Sequence, residues 1–152
     1  MMEAMTSLSG LDYMRAIASG ESEQPPIARL LDFGVVEVEE GRAVFTADPG
    51  ERHYNPIGVV HGGLAATLLD SAMGCAVHTT LPAGWSYGTL DLSVRFVRPI
   101  TRDTGRIRCE GVVVHRGSKT ATTEARVWAE GSGKLLAHGT GAALLLPVAV
   151  AE

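Results

Sequence analysis

The chain lacks the raw material for several kinds of protein. Only two of its 152 residues are cysteines, Cys75 and Cys109. They sit in apolar surroundings without CxxC spacing, so packed, reduced thiols are expected rather than a disulfide or a metal pair. No apolar run reaches the roughly 18 residues that a membrane-spanning helix needs. The opening MMEAMTSLSG has neither the basic start nor the sustained apolar core of a secretory signal. Together these absences predict a cytoplasmic protein without a membrane partner. The five histidines show no HxH or HExxH spacing, and no metal is expected. GxSxG is missing, which removes support for a nucleophile-elbow hydrolase. Gly131-Ser132-Gly133-Lys134 lacks the upstream glycine of a phosphate loop, and Gly139-Thr140-Gly141 is followed by no helix, as a dinucleotide fingerprint requires. Aromatics are scarce, with three Phe, two Trp and three Tyr. Any ligand pocket is therefore expected to have aliphatic walls.

What is present fits one compact domain. Apolar residues make up 45% and charged residues 20%, and a chain of this length buries roughly two-thirds of its unfolded surface. The net charge of −4 hides an asymmetry. Residues 1–51 hold ten acidic and three basic side chains, whereas residues 95–134 hold nine basic and four acidic. The basic block is too dilute and interleaved for a nucleic-acid tail, so no nucleic-acid partner is expected. Solvated strand faces explain most of it.

Periodicity supplies the architecture. Residues 1–24 read as a leader, a short amphipathic helix (Leu11, Met14, Ile17, Ala18) or partly disordered. Pro25-Pro26 opens the domain proper, residues 25–148, with a helical turn over 27–31. Strands are predicted over 33–40, 42–48, 89–96, 105–115, 120–130 and 134–146, joined by Gly-rich turns. In the third, Thr89, Asp91, Ser93 and Arg95 fall on one face and Leu90, Leu92, Val94 and Phe96 on the other. Between the second and third strands runs NPIGVVHGGLAATLLDSAMGCAVH, from Asn55 to His78. After His61-Gly62-Gly63 it reads as one helix, apolar nearly all round, with a narrow polar stripe of Thr67, Asp70 or Ser71, Gly74 and His78. Such a helix needs continuous cover. A twisted antiparallel sheet curled about it provides that, giving an α+β fold.

Asp70 is the residue that bulk patterning does not explain. A lone carboxylate in an apolar helix must be hydrogen-bonded or functional. A Gly-Gly helix start leaves backbone N–H groups at the positive end of the dipole, a place to hold an oxyanion or a polarised carbonyl. His78 and His138 read as satisfied structural residues.

Asn55 six residues before His61-Gly62-Gly63, and Asp70 nine after His61, resemble the signature of hotdog-fold acyl-CoA thioesterases of the phenylacetate-pathway (PaaI-type) branch. The resemblance extends through GTLDLSVRFVRPI and HRGSKTA. It implies a hotdog fold and hydrolysis of an acyl-CoA to free acid and coenzyme A, with coenzyme A as part of the substrate and no separate cofactor. By that resemblance Asp70 is the nucleophile or the general base on water, and the Gly62 amide, with Gly63 beside it, polarises the carbonyl. Asn55 orients the water or the carboxylate, Thr89 stands near the attacking water, and His61 either takes part or fixes the loop. Gly74 opens space for an acyl group. Arg95, Arg98, Arg116 and Lys119 are candidates for the phosphates of coenzyme A. A hydratase or dehydratase of the same fold, or a non-catalytic acyl-thioester binder, are the alternatives. Helix geometry adds an expectation of its own. Gly62 and Asp70 are eight residues apart, about 12 Å along one helix, whereas a gripped thioester carbonyl and its attacker span only about 6 Å. Two antiparallel copies of the helix meet that requirement, so a homodimer, or a homotetramer built as a pair of dimers, is expected.

Overall fold

The computed structural model describes residues 6–148. Helix α1 spans Gly10–Ser19 and α2 spans Pro26–Leu31, followed by strands β1 (Phe33–Glu39) and β2 (Arg42–Ala47). A 3₁₀ turn (Glu51–His53) and a loop lead into the long helix α3, Gly62–His78. After it come β3 (Trp85–Phe96), a second 3₁₀ turn (Arg102–Thr104), β4 (Ile107–Arg116), β5 (Thr120–Ala129) and β6 (Leu135–Pro147). The six strands form one antiparallel sheet in the order β1-β2-β4-β5-β6-β3. The sheet curls around α3, whose Leu68, Leu69, Ala72, Ala76 and Val77 are completely buried. Strand alternation explains the wrap: every second side chain of β5 (Ala121, Thr123, Ala125, Val127, Ala129) points at the helix and is buried.

Two features depart from the sequence-based expectation. The first lies in the leader. Residues 1–5 of that segment lie outside the described residues. Helix α1 is not a frayed appendage: Tyr13, Met14 and Ile17 are buried in the same core as α3. Ser9 caps α1 by accepting from the Asp12 N–H, and the Gly10 N–H donates to the Leu81 carbonyl at 2.9 Å. A Cβ on Gly10 would stand 1.8 Å from the carbonyl oxygen of His78. Only glycine lets α1 approach the end of α3 this closely, a tertiary requirement that helical periodicity does not reveal.

The second departure is in β3. Its pairing with β6 puts Thr89 opposite Ala143 and Asp91 opposite Ala142, leaving Leu90 as a bulge. The extra residue resets the alternation. Before it, Tyr87 and Thr89 face α3; beyond it, Val94 packs on the core and Phe96 reaches Gly62. Thr89 thus faces away from Ser93 and Arg95 instead of sharing their side. β3 is also an unpaired edge with much exposed apolar surface, Leu90 at 56%, Leu92 at 37% and Phe96 at 61%.

The charge asymmetry resolves into pairing across the sheet. Glu37 of β1 meets both Arg42 and Arg108, Asp48 meets Arg106, and Glu51 meets Arg102. The hydrogen bonds from Arg42 and Arg108 hold the Glu37 carboxyl below the ordinary range, and Arg106 does the same for Asp48. Arg102, Arg106 and Arg108 of the basic segment thus face acids of the first third.

Candidate active site

The predicted residues fall in two places along one seam between α3 and β3. Gly62 lies beside Phe96, Asp70 beside Thr89 and Gly74 beside Tyr87. The helix and the strand therefore run antiparallel.

At the helix start, a groove of about 430 Å³ is lined by Asn55, His61, Gly62, Phe96 and Arg98, among others. His61 is the N-cap, and its Nδ1 accepts the Gly63 N–H at 2.8 Å. That geometry assigns the ring proton to Nε2 and gives His61 its loop-fixing role. It also removes the Gly63 amide from the pool of free donors. The Gly62 N–H, first in the helix, has no intrahelical acceptor. Its face is not bare, because a Cβ on Gly62 would stand 3.0 Å from the Phe96 ring.

Asn55 has a narrower role than its amide allows in principle. Its Oδ1 accepts the N–H groups of Ile57 at 3.1 Å and Val59 at 3.3 Å, and its own N–H donates to the Val59 carbonyl. Two donors converging on one side-chain atom identify that atom as oxygen. The acceptor end is spent folding the loop, so only the Nδ2 hydrogens are left to offer a substrate or a water. Asn55 can donate there but not accept.

The second cluster sits midway along α3. Asp70 is half-buried, and Thr89 Oγ1 donates to its Oδ1 at 2.8 Å. One carboxylate oxygen is thereby oriented, and its partner Oδ2 stays open for a proton or for attack. Gly74, one turn on, does not open space: Tyr87 fills it, and a Cβ there would lie 2.4 Å from the ring. The Tyr87 phenol and the Cys75 thiol border the same cavity. Burial pushes the thiol up to about 12 and the phenol well above its usual value, and the nearby Asp70 charge adds to both.

The four candidate phosphate ligands are not brought together. Arg116, Ala121, Ala143 and Thr89 stand in one row across β4, β5, β6 and β3. Arg116 is thus three strand spacings from Thr89, about 14 Å. Arg95 and Arg98 lie at the other end of β3. Arg98 borders the groove at Gly62 and donates to the Leu135 carbonyl at 2.7 Å. Among the described residues the side chains of Arg95, Arg116 and Lys119 have no ion pair or hydrogen bond, and no three His, Cys, Asp or Glu could hold a metal ion. No described helix is long and apolar enough to cross a membrane.

Patterning misplaced or overlooked several residues. His78 is buried at 3% exposure, yet neither of its ring nitrogens has a partner. The expectation of a satisfied histidine fails because its neighbours are rings, Tyr13 edge-on at 5.8 Å and Tyr87 tilted at 5.9 Å. His138 is exposed on β6. Phe96, on the apolar face expected for its strand, covers Gly62, whereas Tyr87 lies ahead of the expected strand, and its position on Gly74 follows only from the bulge at Leu90.

The profile of the family described as the thioesterase superfamily matches residues 57–136, just over half the chain, spanning His61, Asp70 and Thr89. The chain belongs to the thioesterase superfamily. This thioesterase is 30% identical over 135 residues to a Saccharolobus solfataricus protein named provisionally as an esterase, covering 89% of this chain and 94% of that one. It is 29% identical over 105 residues to human acyl-coenzyme A thioesterase 13, covering 69% and 74% of the two chains. Among solved structures, a variant of the phenylacetic acid degradation protein PaaI from Thermus thermophilus aligns with a TM-score of 0.71. The two are 30% identical, over 79% of this chain and 98% of that one. The sheet wrapped around one central helix is the hotdog fold, and the protein is a hydrolase of the thioesterase class.

Proposed function

We propose that the thioesterase hydrolyses an acyl-CoA to the free acid and coenzyme A at sites shared between two copies of the chain. The observation that carries this reading is the division of the machinery. The free donor at Gly62 and the oriented carboxylate of Asp70 lie in separate depressions, about 12 Å apart along one helix. Antiparallel α3 helices across a two-fold axis bring Gly62 of one protomer opposite Asp70 of its partner. The open, apolar edge of β3 supports the same pairing, since an unpaired edge of this kind is a ready template for another strand.

In such a site the Gly62 N–H receives the carbonyl oxygen, and Asn55 Nδ2 donates to the substrate or the water from the same side. Asp70 of the other protomer, steadied by Thr89, either takes a proton from water as the water oxygen bonds to the carbonyl carbon, or attacks that carbon directly. The negative charge that develops on the oxygen is held at Gly62. The C–S bond then breaks, and coenzyme A leaves as the thiol, taking the proton that Asp70 drew from water. In the direct-attack route the sulfur is protonated by water, and the acyl group stays on Asp70 as a mixed anhydride. A water then hydrolyses it to the free acid and restores the carboxylate. Water is the only co-substrate. Of the four candidate phosphate ligands, Arg95, Arg116 and Lys119 carry no ion pair among the described residues and are available to phosphates, and Arg98 borders the groove.

A thiol-release assay on a panel of acyl-CoAs, with Asp70→Asn as control, tests the reading. The wild type is expected to liberate free coenzyme A, and the variant, folded but unable to accept a proton or attack, to be slower by at least about 100-fold. An unchanged rate in folded Asp70→Asn contradicts the mechanism. Conversion of the acyl chain without thiol release would point to a hydratase, and neither reaction to a binder.

A further inference from the structure

His53, at the end of the first 3₁₀ turn, is buried at 8% exposure, and both of its ring nitrogens are engaged. Nδ1 accepts the Gly50 N–H at 3.1 Å, and Nε2 lies 2.9 Å from the Leu31 carbonyl oxygen. An N–H only donates and a carbonyl only accepts, so these partners place the ring proton on Nε2. The two bonds differ in reach. The Gly50 bond is local: together with the His53 N–H, which donates to the Gly50 carbonyl at 2.9 Å, it closes the turn on itself. The Leu31 bond spans 22 residues of sequence. Leu31 is the last residue of α2, and Asp32 after it swings the chain into β1 with a left-handed backbone, φ 56. The imidazole thus ties the turn to the body of the fold. Arg52 adds a second tie, at the surface, to the Asp32 carboxylate at 2.5 Å.

What this turn carries is the Gly62 half of the proposed site. The His53 carbonyl accepts the His61 N–H at 2.7 Å. His61 caps α3 and its Nδ1 holds the Gly63 N–H. The Gly62 N–H therefore sits between two amides that are both held, one of them directly by His53. Asn55 follows His53 by two residues, and Tyr54 between them bridges to Val60. The segment from Glu51 to His61 meets the rest of the fold at few other points. The Val60 N–H donates to the Ile100 carbonyl at 2.8 Å, the Arg102 N–H donates to the Tyr54 hydroxyl at 3.1 Å, and Arg102 pairs with Glu51 at the surface. Of the side chains that make these ties, the His53 imidazole is the buried one. Its bond to Leu31 is sheltered from competing water and holds its geometry best.

We propose that His53 is a positioning residue for thioester hydrolysis: by anchoring the turn to the end of α2, it sets where the Gly62 N–H and the Asn55 amide point. The proposal rests on the thioesterase reading and adds a residue to it. His53 does not line the groove at Gly62, so it acts through His61 and Asn55 rather than on the substrate. Losing the Leu31 bond removes no reacting group. It lets the donors drift, and a misplacement of about 1 Å is enough to cost on the order of 10²-fold in rate. Misaimed donors lose most against the charge that develops only in the transition state, so the loss falls on kcat rather than on KM.

Two amide variants separate the two ring bonds. His53→Gln can still reach the Leu31 carbonyl with its side-chain N–H but gives up the acceptor for Gly50. His53→Asn keeps an acceptor near the Nδ1 position and loses the reach to Leu31. In thiol release from an acyl-CoA, His53→Gln is expected to retain most of the wild-type kcat. His53→Asn should lose roughly 10–100-fold in kcat with KM within a few-fold. A tie that only stabilises would lower the Tm of His53→Asn and leave its kcat at the wild-type value while folded. The background matters too. In Asn55→Ala, whose loop acceptor is already gone, His53→Asn should cost little more, whereas in Thr89→Val, on the Asp70 side, it should cost its full factor. Amide exchange reads the anchor without substrate: the His61 N–H should exchange faster in His53→Asn than in the wild type or His53→Gln. Wild-type kcat in folded His53→Asn, equal losses in both variants, or the full cost in the Asn55→Ala background overturns the proposal. If His53→Asn does not fold, His53→Gln decides: retained kcat with a protected His61 amide supports the anchor, and loss of either overturns it. If the wild type hydrolyses no acyl-CoA, the function reading fails, and exchange at His61 alone decides the anchoring.

Discussion

Thr89→Val isolates what the Thr89 hydroxyl does for Asp70. Valine keeps the branched shape and the strand preference of threonine, so the perturbation is close to the loss of one hydrogen bond. That bond, 2.8 Å from Oγ1 to a carboxylate oxygen, is charge-assisted and belongs to a class worth about 1.5–3 kcal/mol. Thr89 is exposed in the protomer, so water can replace the lost donor and the lower end applies. At about 1.4 kcal/mol per decade, kcat should fall roughly tenfold, with KM nearly unchanged because the hydroxyl orients the carboxylate rather than binding the acyl-CoA. Thr89→Ser should retain most of the rate. Steady-state thiol release across the three proteins checks this, with Tm as a folding control. A folded Thr89→Val enzyme with wild-type kcat would refute the positioning role.

Two further outcomes follow from the same seam. Gly74→Ala drives a methyl into the Tyr87 ring at 2.4 Å. It should cost about 1–3 kcal/mol, as overpacking does, and pairing it with Tyr87→Ala should remove much of that cost in a double-mutant thermal melt. His78 gives stability a pH dependence. Its folded pKa is depressed below 6.5 by burial, so the unfolded chain takes up a proton that the folded chain resists. The stabilisation is complete above pH 6.5 and lost as the pH falls below it. Urea midpoints should drop between pH 7 and 5 in the wild type, and His78→Phe should flatten that part of the curve.

Much of the fold could be read directly. Strand β5 alternates cleanly, and the observed ends of β4, β5 and β6 lie within two residues of those expected. The apolar run around Asp70 announced the central helix, because no half-exposed helix is apolar on nearly every side. What patterning missed has a common cause, contact between elements distant in sequence. The bulge at Leu90 leaves the written alternation unbroken while it turns Thr89 to the opposite side from Ser93 and Arg95. The docking of α1 depends on the space above Gly10, and a short amphipathic helix reads the same whether docked or frayed. At the candidate site, a lone carboxylate in an apolar helix and a Gly-Gly helix start single out Asp70 and Gly62, and the family resemblance assigns them their proposed roles. Only coordinates reveal that Asn55 has spent its acceptor on its own loop, that His61 occupies the Gly63 amide, and that His78 has no partner.

The central claim, one site built from two protomers, is tested most directly by complementation. Gly62→Pro is a suitable partner for Asp70→Asn. Proline at the first helical position deletes the N–H while keeping helical backbone, and His61, at φ −58 and ψ 132, already has the extended backbone a following proline requires. Each homodimer should be nearly inactive. In a purified heterodimer, one subunit supplies an intact Gly62 half and the other an intact Asp70 half. It should regain one of two sites, about half the wild-type turnover. Heterodimers as inactive as both parents would contradict the shared site.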